Sequence, residues 1–101
     1  MKYMILLASL VSSFAIAEVT CNKANAEFSS GDNRKGVKMF SLLAKSGATC
    51  GFEGLGAAFL HGRGADKDLN KSLMAWRKAE EMGSSSASTY IAYLERELND
   101  K

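Results

Sequence analysis

The chain has 101 residues, of which 13 are lysine or arginine, 11 are aspartate or glutamate and one is histidine, so its formal net charge is +2. That length suits one small domain and not two. The charge is near neutral and its two signs are interspersed, so the chain has no concentrated positive surface of the kind that binds nucleic acid or acidic membranes.

The first 17 residues, Met1–Ala17, have the features of a secretory signal peptide. A single charge, Lys2, precedes an apolar run that is too short to span a bilayer, and residues 15–17 form the small-x-small sequence that a signal peptidase cuts. We therefore expect a secreted mature chain from Glu18 onwards, without membrane insertion, and a periplasmic location if the source is a Gram-negative bacterium. A lipoprotein processed at Cys21 is the alternative, but the residues before that cysteine lack the small-residue run that such processing needs.

Two cysteines, Cys21 and Cys50, remain in the expected mature chain. An even count in an oxidising compartment predicts one disulfide. It would pin an N-terminal segment, residues 18–31, to the domain formed by residues 32–101. No Cys-x-x-Cys sequence is present, which argues against redox catalysis.

Two predicted helices share the same start and stop residues at an offset of 36 positions. Asp68 caps one helix and Gly83 ends it, while Asp32 or Asn33 caps the earlier one and Gly47 ends that. Residue character is kept at several other positions of the same offset, which indicates a repeat. The apolar stripes of the two helices predict core positions at Val37, Phe40, Leu43, Ala44, Leu73, Trp76 and Ala79.

Two further helices complete the predicted set. One covers about residues 50–61, with Phe52, Leu55 and Phe59 on its predicted core side and several glycines and alanines that let neighbouring backbones approach closely. The other starts near Ser86 and ends in a polar sequence, as expected of the terminal helix of a solenoid.

Residues 55–64, LGAAFLHGRG, resemble the first half of a Sel-one-like repeat, which reads Leu-Gly-x-x-Tyr-x-x-Gly-x-Gly-Val. The second half of such a repeat is matched by Asp66-Lys67-Asp68, Lys71-Ser72, Trp76-x-Lys78-Ala79 and Gly83. One full unit therefore covers about residues 51–86. The sequence departs from the family pattern at Ala65, Ser72, Ala75 and Glu80.

The resemblance implies an all-α fold, a short α-solenoid of antiparallel helix pairs with about two repeats, related to tetratricopeptide repeats. It also implies a protein partner, held without a cofactor on a concave surface lined by the first helix of each pair. By this analogy Glu53, Ala57 and Leu60 line the concave face. Arg63 is a turn residue that a partner can reach. Tyr90 and Tyr93 cannot both face inward, so that one of them is expected to be an exposed interface anchor.

The sequence offers little for catalysis. His61 is the single histidine, at a helix end, where a capping or surface role is typical, and no Ser-x-x-Lys sequence is present. We expect no catalytic, cofactor or metal site and no small-molecule substrate. The predicted function is a secreted or periplasmic protein–protein interaction module, such as an immunity or inhibitor protein that binds a toxin or effector.

Two alternatives remain. One is a β-lactamase-like or penicillin-binding enzyme of the cell envelope, an activity described for some secreted relatives of the family. The other is a structural subunit that assembles with copies of itself.

Overall fold

The computed structural model describes residues 19–100, and every regular element in that range is an α-helix. The helices are α1 (Cys21–Ser30), α2 (Asn33–Lys45), α3 (Thr49–His61), α4 (Leu69–Glu81) and α5 (Ala87–Asn99). They confirm the all-α prediction. Among residues 19–100 no helix is both long enough and apolar enough to cross a membrane. The predicted signal peptide, residues 1–17, lies outside the described range.

The predicted start and stop residues of α2 and α4 are confirmed. The Asp32 carboxylate accepts hydrogen bonds from the first free amides of α2, and Asp68 accepts one from the backbone N–H of Lys71 at 3.0 Å. Gly47 and Gly83 follow the two helices with φ values of +88° and +101°, which a residue with a side chain rarely adopts. Local capping chemistry therefore sets both helices at equivalent positions.

Each helix packs on the next one along the chain. For α3 and α4, contacts at the two ends show that the pair is antiparallel. Between α3 and α4, the Asp68 N–H donates to the carbonyl of Phe59 at 2.9 Å near the connecting turn. At the far end of the same pair, the Ser84 hydroxyl donates to Glu53 at 2.5 Å. This order places α3 between α2 and α4.

Two buried clusters lie on either side of α3. Phe40, 1% exposed, is at the centre of the first, and Trp76, 4% exposed, is at the centre of the second. The first cluster also contains Ala24 and Leu43, and the second also contains Leu60, Ala79, Ala87 and Leu94.

The core face of α3 differs from the prediction. Phe52, Leu55 and Phe59, expected in the core, are only half-buried. The helix instead buries its small residues together with Leu60, namely Gly51, Gly54, Gly56 and Ala58. The physical reason is that α3 is covered on two sides, so that the rings of the neighbouring helices fill the space its glycines leave open: the Phe40 ring lies against Gly54 and the Trp76 indole against Gly56.

The N-terminal helix α1 is attached at both ends. The predicted disulfide between Cys21 and Cys50 is present, with 6.1 Å between the two Cα atoms, and it joins the start of α1 to the start of α3. Farther along, the Phe28 ring meets Phe40 edge-on at 5.6 Å between centroids. Gly36 lets α2 approach this part of α1, because a Cβ there would lie 2.6 Å from the backbone nitrogen of Phe28.

Candidate functional site

Three of the six predicted partner-binding residues lie together in one groove, Leu60, Tyr90 and Tyr93. The groove has a volume of about 490 Å³ and runs between the end of α3, the start of α4 and one side of α5. Its other lining residues are His61, Lys67, Leu69, Thr89 and Glu97. We call it the α3–α5 groove.

The floor of the groove has a rigid aromatic support. The Tyr90 ring, half-buried, stacks on the Trp76 indole with 4.1 Å between centroids and 7° between planes. Trp76 is in turn packed against the backbone of α3 at Gly56. Tyr93, one turn further along α5, is 42% exposed. The two tyrosines do not both face inward, as expected, and Tyr93 is the exposed one.

Leu60 is placed differently from its predicted position on an open concave face. Its side chain is 8% exposed and belongs to the cluster around Trp76. Leu60 therefore lines the groove with only a small solvent-exposed area. The reason is that α4 covers this side of α3, where Trp76 packs against Gly56 and Leu60.

Two opposite charges line the groove without an ion pair in the described part of the chain. Lys67 comes from the α3–α4 connection and Glu97 from the last turns of α5. The ion pairs found among residues 19–100 join Lys35 to Glu27, Arg77 to Glu95 and Lys78 to Glu81. The groove therefore combines apolar and aromatic side chains with an exposed lysine and a half-buried carboxylate.

Arg63 lies away from the groove and contacts α1 instead. Its guanidinium sits 5.4 Å from the centroid of the Phe28 ring, and its Nη2 donates to the carbonyl of Ser29 at 2.9 Å. The exposed turn residue predicted to meet a partner thus holds the C-terminal end of α1 against the α3–α4 connection.

Glu53 and Ala57 also lie outside the lining of the groove. Glu53 accepts the Ser84 hydrogen bond near the α4–α5 connection, and Ala57 is half-buried against the cluster around Trp76. The predictions of partner binding at these two residues have no local geometry that supports them.

Four groove residues, Lys67, Leu69, Thr89 and Glu97, were not singled out by the sequence. A pattern was available for two of them, because Thr89, Tyr93 and Glu97 follow one another at four-residue steps and so share one face of α5. The sequence analysis did not assign this face of α5 to the partner surface.

One buried hydroxyl and one indole nitrogen lie near the groove support. Ser72, fully buried, donates its Oγ–H to the carbonyl oxygen of Gly56 at 2.7 Å, which ties α4 to α3 beneath the aromatic stack. The Nε1–H of Trp76 has no hydrogen-bond partner among the described residues. The support of the groove is thus held by one buried hydrogen bond and by close ring packing.

Among residues 19–100, one titratable group, the Glu27 carboxyl, has a shifted pKa, and it lies outside the groove. The backbone N–H of Asp32 donates to Glu27 Oε1 at 3.1 Å, and this bond, assisted by Lys35, holds the pKa of the Glu27 carboxyl below its ordinary value. The hydrogen bond and the nearby lysine that cause this shift lie where α1 meets the start of α2, and they stabilise the connection between the two helices.

No group of three or more histidine, cysteine, aspartate or glutamate side chains within residues 19–100 is arranged to hold a metal ion. Comparisons with protein-family models, with curated proteins and with solved structures find no match to this chain. The functional proposal therefore depends on the groove and on the repeat pattern of the sequence.

Proposed function

We propose that this chain is a secreted protein–protein interaction module, built as a short Sel-one-like α-solenoid, and that its partner binds in the α3–α5 groove. The observation that carries the proposal is the groove itself. It presents Tyr93 to solvent beside a Tyr90 ring that is fixed by stacking on Trp76.

The composition of the groove supports a protein partner. Protein interfaces have an apolar core enriched in tyrosine, surrounded by a polar rim that stays accessible to solvent. Tyrosines in such positions contribute much of the binding energy, because they bring a large area of contact with few rotatable bonds. Tyr90, Tyr93 and Leu60 correspond to the core, and Lys67 and Glu97 correspond to the rim.

The equivalence of α2 and α4 supports the repeat. Both helices start at a capping aspartate, both are followed by a glycine with positive φ, and each packs on α3 through a buried aromatic residue. In a solenoid of helix pairs, α3 and α5 are then the first helices of successive pairs. The α3–α5 groove is the surface that such a solenoid offers to a partner.

The size of the groove favours one dedicated partner, such as a toxin or effector that the protein inhibits. A volume of about 490 Å³ accommodates a few side chains and not a broad docking surface. Secretion is part of the proposal, and the disulfide between Cys21 and Cys50 is compatible with an extracellular or periplasmic location.

Site-specific photo-crosslinking tests the proposal. A photoreactive phenylalanine replaces Tyr93 in the groove or, as a matched control, Leu42, which is 54% exposed on α2 and outside the groove. The tagged full-length chain is crosslinked in the envelope of its own host, and the products are identified by mass spectrometry.

We expect one dominant protein from position 93 and none of it from position 42. The same set of proteins from both positions, or none from position 93, would contradict the proposal. A labelled penicillin added to the purified mature protein separates the enzyme alternative, since covalent trapping or hydrolysis would favour it.

A further inference from the structure

We propose that the molecule has a second docking surface, the shallow groove between α2 and α4, and that this groove takes an acidic peptide segment that also carries apolar side chains. The floor of the groove is formed by Phe52, Leu55 and Phe59 of α3, and the facing sides of α2 and α4 are its walls. We call it the α2–α4 groove. The inference goes beyond the proposed function, because none of these floor residues lines the α3–α5 groove.

The floor lies between α2 and α4 because of its place on α3. Gly54 faces the Phe40 ring of α2, and Gly56 faces the Trp76 indole of α4. Successive residues are about 100° apart around a helix, so Leu55 points midway between these two neighbours. The two phenylalanines of the floor lie three residues before it and four residues after it, on the same face. All three side chains are half-buried, so α2 and α4 leave this apolar stripe partly open.

The apolar surface continues from the floor onto α4. Met74 is 70% exposed, and it lines a hollow of about 440 Å³ together with Phe52, Leu55 and Ala75. An exposed methionine adapts its shape to different partners, and contiguous apolar surface with a polar rim is typical of an interaction site. The groove therefore offers an apolar contact that the described helices do not fill.

The α2 wall of the groove is basic. Arg34, Lys38 and Lys45 are exposed and follow one another at steps of four and seven residues, so they lie in one row along α2. Arg34 places this row on the side of α4, because it lies against the α3–α4 connection beside Gly64. Among residues 19–100 none of the three forms an ion pair, and the sequence of α2 contains no aspartate or glutamate.

The α4 wall adds two further bases. The Lys71 ammonium lies 5.6 Å from the centroid of the Phe59 ring, and Lys78, two turns further along α4, lines the hollow at the other end of the floor. The acidic side chains beside the walls are Glu81, 3.6 Å from Lys78, and Asp66 in the α3–α4 connection. Bases therefore outnumber acids along the groove, although the two signs are interspersed in the sequence.

The two properties of the groove together define its occupant. Carboxylates complement the unpaired bases of the walls, and apolar side chains lose water against the floor. Nucleic acid fits less well, because its bases stack on open aromatic faces, whereas the Lys71 ammonium lies over the Phe59 ring. Leu55 and Met74 have no ring to offer. A membrane surface is flat and does not reach a floor that is recessed between two helices. A peptide segment brings both kinds of group into the groove.

Labelled peptides test this proposal on the full mature chain. The probe is a fluorescent peptide of about ten residues in which glutamate alternates with leucine and phenylalanine. Its length covers the floor, which rises by about 10 Å along α3, whether the peptide is helical or extended. The control peptide has glutamine in place of every glutamate. A single strand of deoxythymidines and vesicles that contain acidic phospholipid are the other ligands. Fluorescence anisotropy and vesicle sedimentation measure binding, and backbone amide shifts in NMR spectra locate it.

We expect the glutamine peptide to bind about tenfold more weakly than the glutamate peptide at low salt, because several exposed charge pairs are lost together. The difference should shrink as the ionic strength rises from about 0.01 M to about 0.15 M, since the Debye length falls from about 30 Å to about 8 Å. The amide signals that shift should be those of Lys38, Leu55 and Phe59.

Several results would overturn the proposal. These are equal binding of the two peptides, amide shifts that lie in the α3–α5 groove instead, and no binding of the glutamate peptide at millimolar concentration. Tighter binding of the deoxythymidine strand or of the vesicles would also overturn it, because the basic row would then serve a different class of ligand.

Two matched pairs of variants check the wall and the apolar surface. Lys38→Glu should weaken the glutamate peptide about three- to fivefold, whereas Arg96→Glu, the same change in net charge at an exposed position of α5, should leave it unchanged. Met74→Ser should weaken it about fivefold through loss of apolar contact. Leu42→Ser should not, because Leu42 is 54% exposed on α2 but lies outside the hollow. Equal effects within either pair would contradict the assigned surface.

Failure of this inference and failure of the proposed function are distinguishable. Crosslinking from position 93 reads the α3–α5 groove, and its outcome does not depend on the glutamate peptide. A partner captured there without any binding of the peptide overturns the second docking surface alone.

Discussion

Replacement of Gly56 by alanine tests whether the groove support is as tightly packed as the geometry indicates. A Cβ at this position would lie 2.7 Å from two carbon atoms of the Trp76 indole. The ring cannot move away easily, because it is 4% exposed and its face is covered by Tyr90 at 4.1 Å between centroids.

Two effects of opposite sign determine the expected change in stability. Alanine is favoured over glycine in the interior of a helix by about 1 kcal/mol. Insertion of a methyl group into a well-packed core costs about 1–3 kcal/mol, and the trapped indole points to the upper end of that range. We therefore expect a net loss of about 2 kcal/mol in the free energy of unfolding, or a fall in Tm of about 8–16 °C for a domain of this size.

The measurement is urea unfolding followed by far-UV circular dichroism, in the wild type, in Gly56→Ala, in Trp76→Phe and in the double variant. The smaller phenylalanine ring leaves room for the added methyl, so Gly56→Ala should be much less destabilising in the Trp76→Phe background. If Gly56→Ala instead raises stability by about 1 kcal/mol in the wild-type background, the propensity effect acts alone. The indole would then have space, and Tyr90 would not be held as described.

Three further variants test other parts of the fold. Reduction of the disulfide, or Cys21→Ala with Cys50→Ala, should lower the free energy of unfolding by about 3–4 kcal/mol, because the bond closes a loop with a separation of 29 residues. Urea melts with and without reductant measure this loss. Identical melts would contradict it. Ser72→Ala should lower the free energy of unfolding by about 1 kcal/mol in the same urea melts, because it removes the buried hydrogen bond to the Gly56 carbonyl of α3. An unchanged free energy of unfolding would mean that this bond adds nothing to the packing. The pKa of Glu27 is lowered in the folded state, so its contribution to stability is complete above the ordinary glutamate pKa of about 4.3 and is lost as the pH falls through the lower folded value. Glu27→Gln should therefore remove this part of the acid dependence of stability in melts between about pH 5 and pH 2. An unchanged acid profile would refute the prediction.

The helix ends could be predicted from the sequence because capping is local. An aspartate side chain bonds to amides two or three residues ahead of it, and a glycine adopts positive φ whatever lies elsewhere in the fold. Asp32, Asp68, Gly47 and Gly83 therefore appear in the structure in the roles that the sequence predicts.

The buried faces of α3 could not be predicted in the same way. Apolar periodicity gives most weight to large side chains and so selected Phe52, Leu55 and Phe59 as the core stripe. In the structure, α3 has neighbours on two sides, and the contact is made by glycines that hold no apolar side chain at all. A periodicity analysis treats such glycines as empty positions, although the rings of Phe40 and Trp76 depend on them.

The candidate site was predicted only in part for a related reason. The sequence predicts that Tyr90 and Tyr93 cannot both be buried, because they flank Ile91 and Leu94 in one helix, but it does not decide which of the two is exposed. Lys67 and Glu97 are ordinary surface charges until α5 lies beside the end of α3. Arg63 was predicted to be free to meet a partner, because it lies on a glycine turn. In the structure it contacts α1 instead, which its local sequence does not indicate.

The outward faces of the first and last described helices bear on the choice between a dedicated binder and a self-assembling subunit. If copies of the chain stacked end to end, the exposed side of α5 would meet the exposed side of α1. Those surfaces carry short or polar side chains, namely Ser88, Ala92, Glu95 and Asn99 on α5, and Asn22, Asn25, Ala26 and Ser29 on α1. Interfaces that hold subunits together permanently are apolar at their centre. On α5 the exposed aromatic surface is at Tyr93, on the groove side, so end-to-end stacking would leave it uncovered. This favours the proposed dedicated binder over a self-assembling subunit.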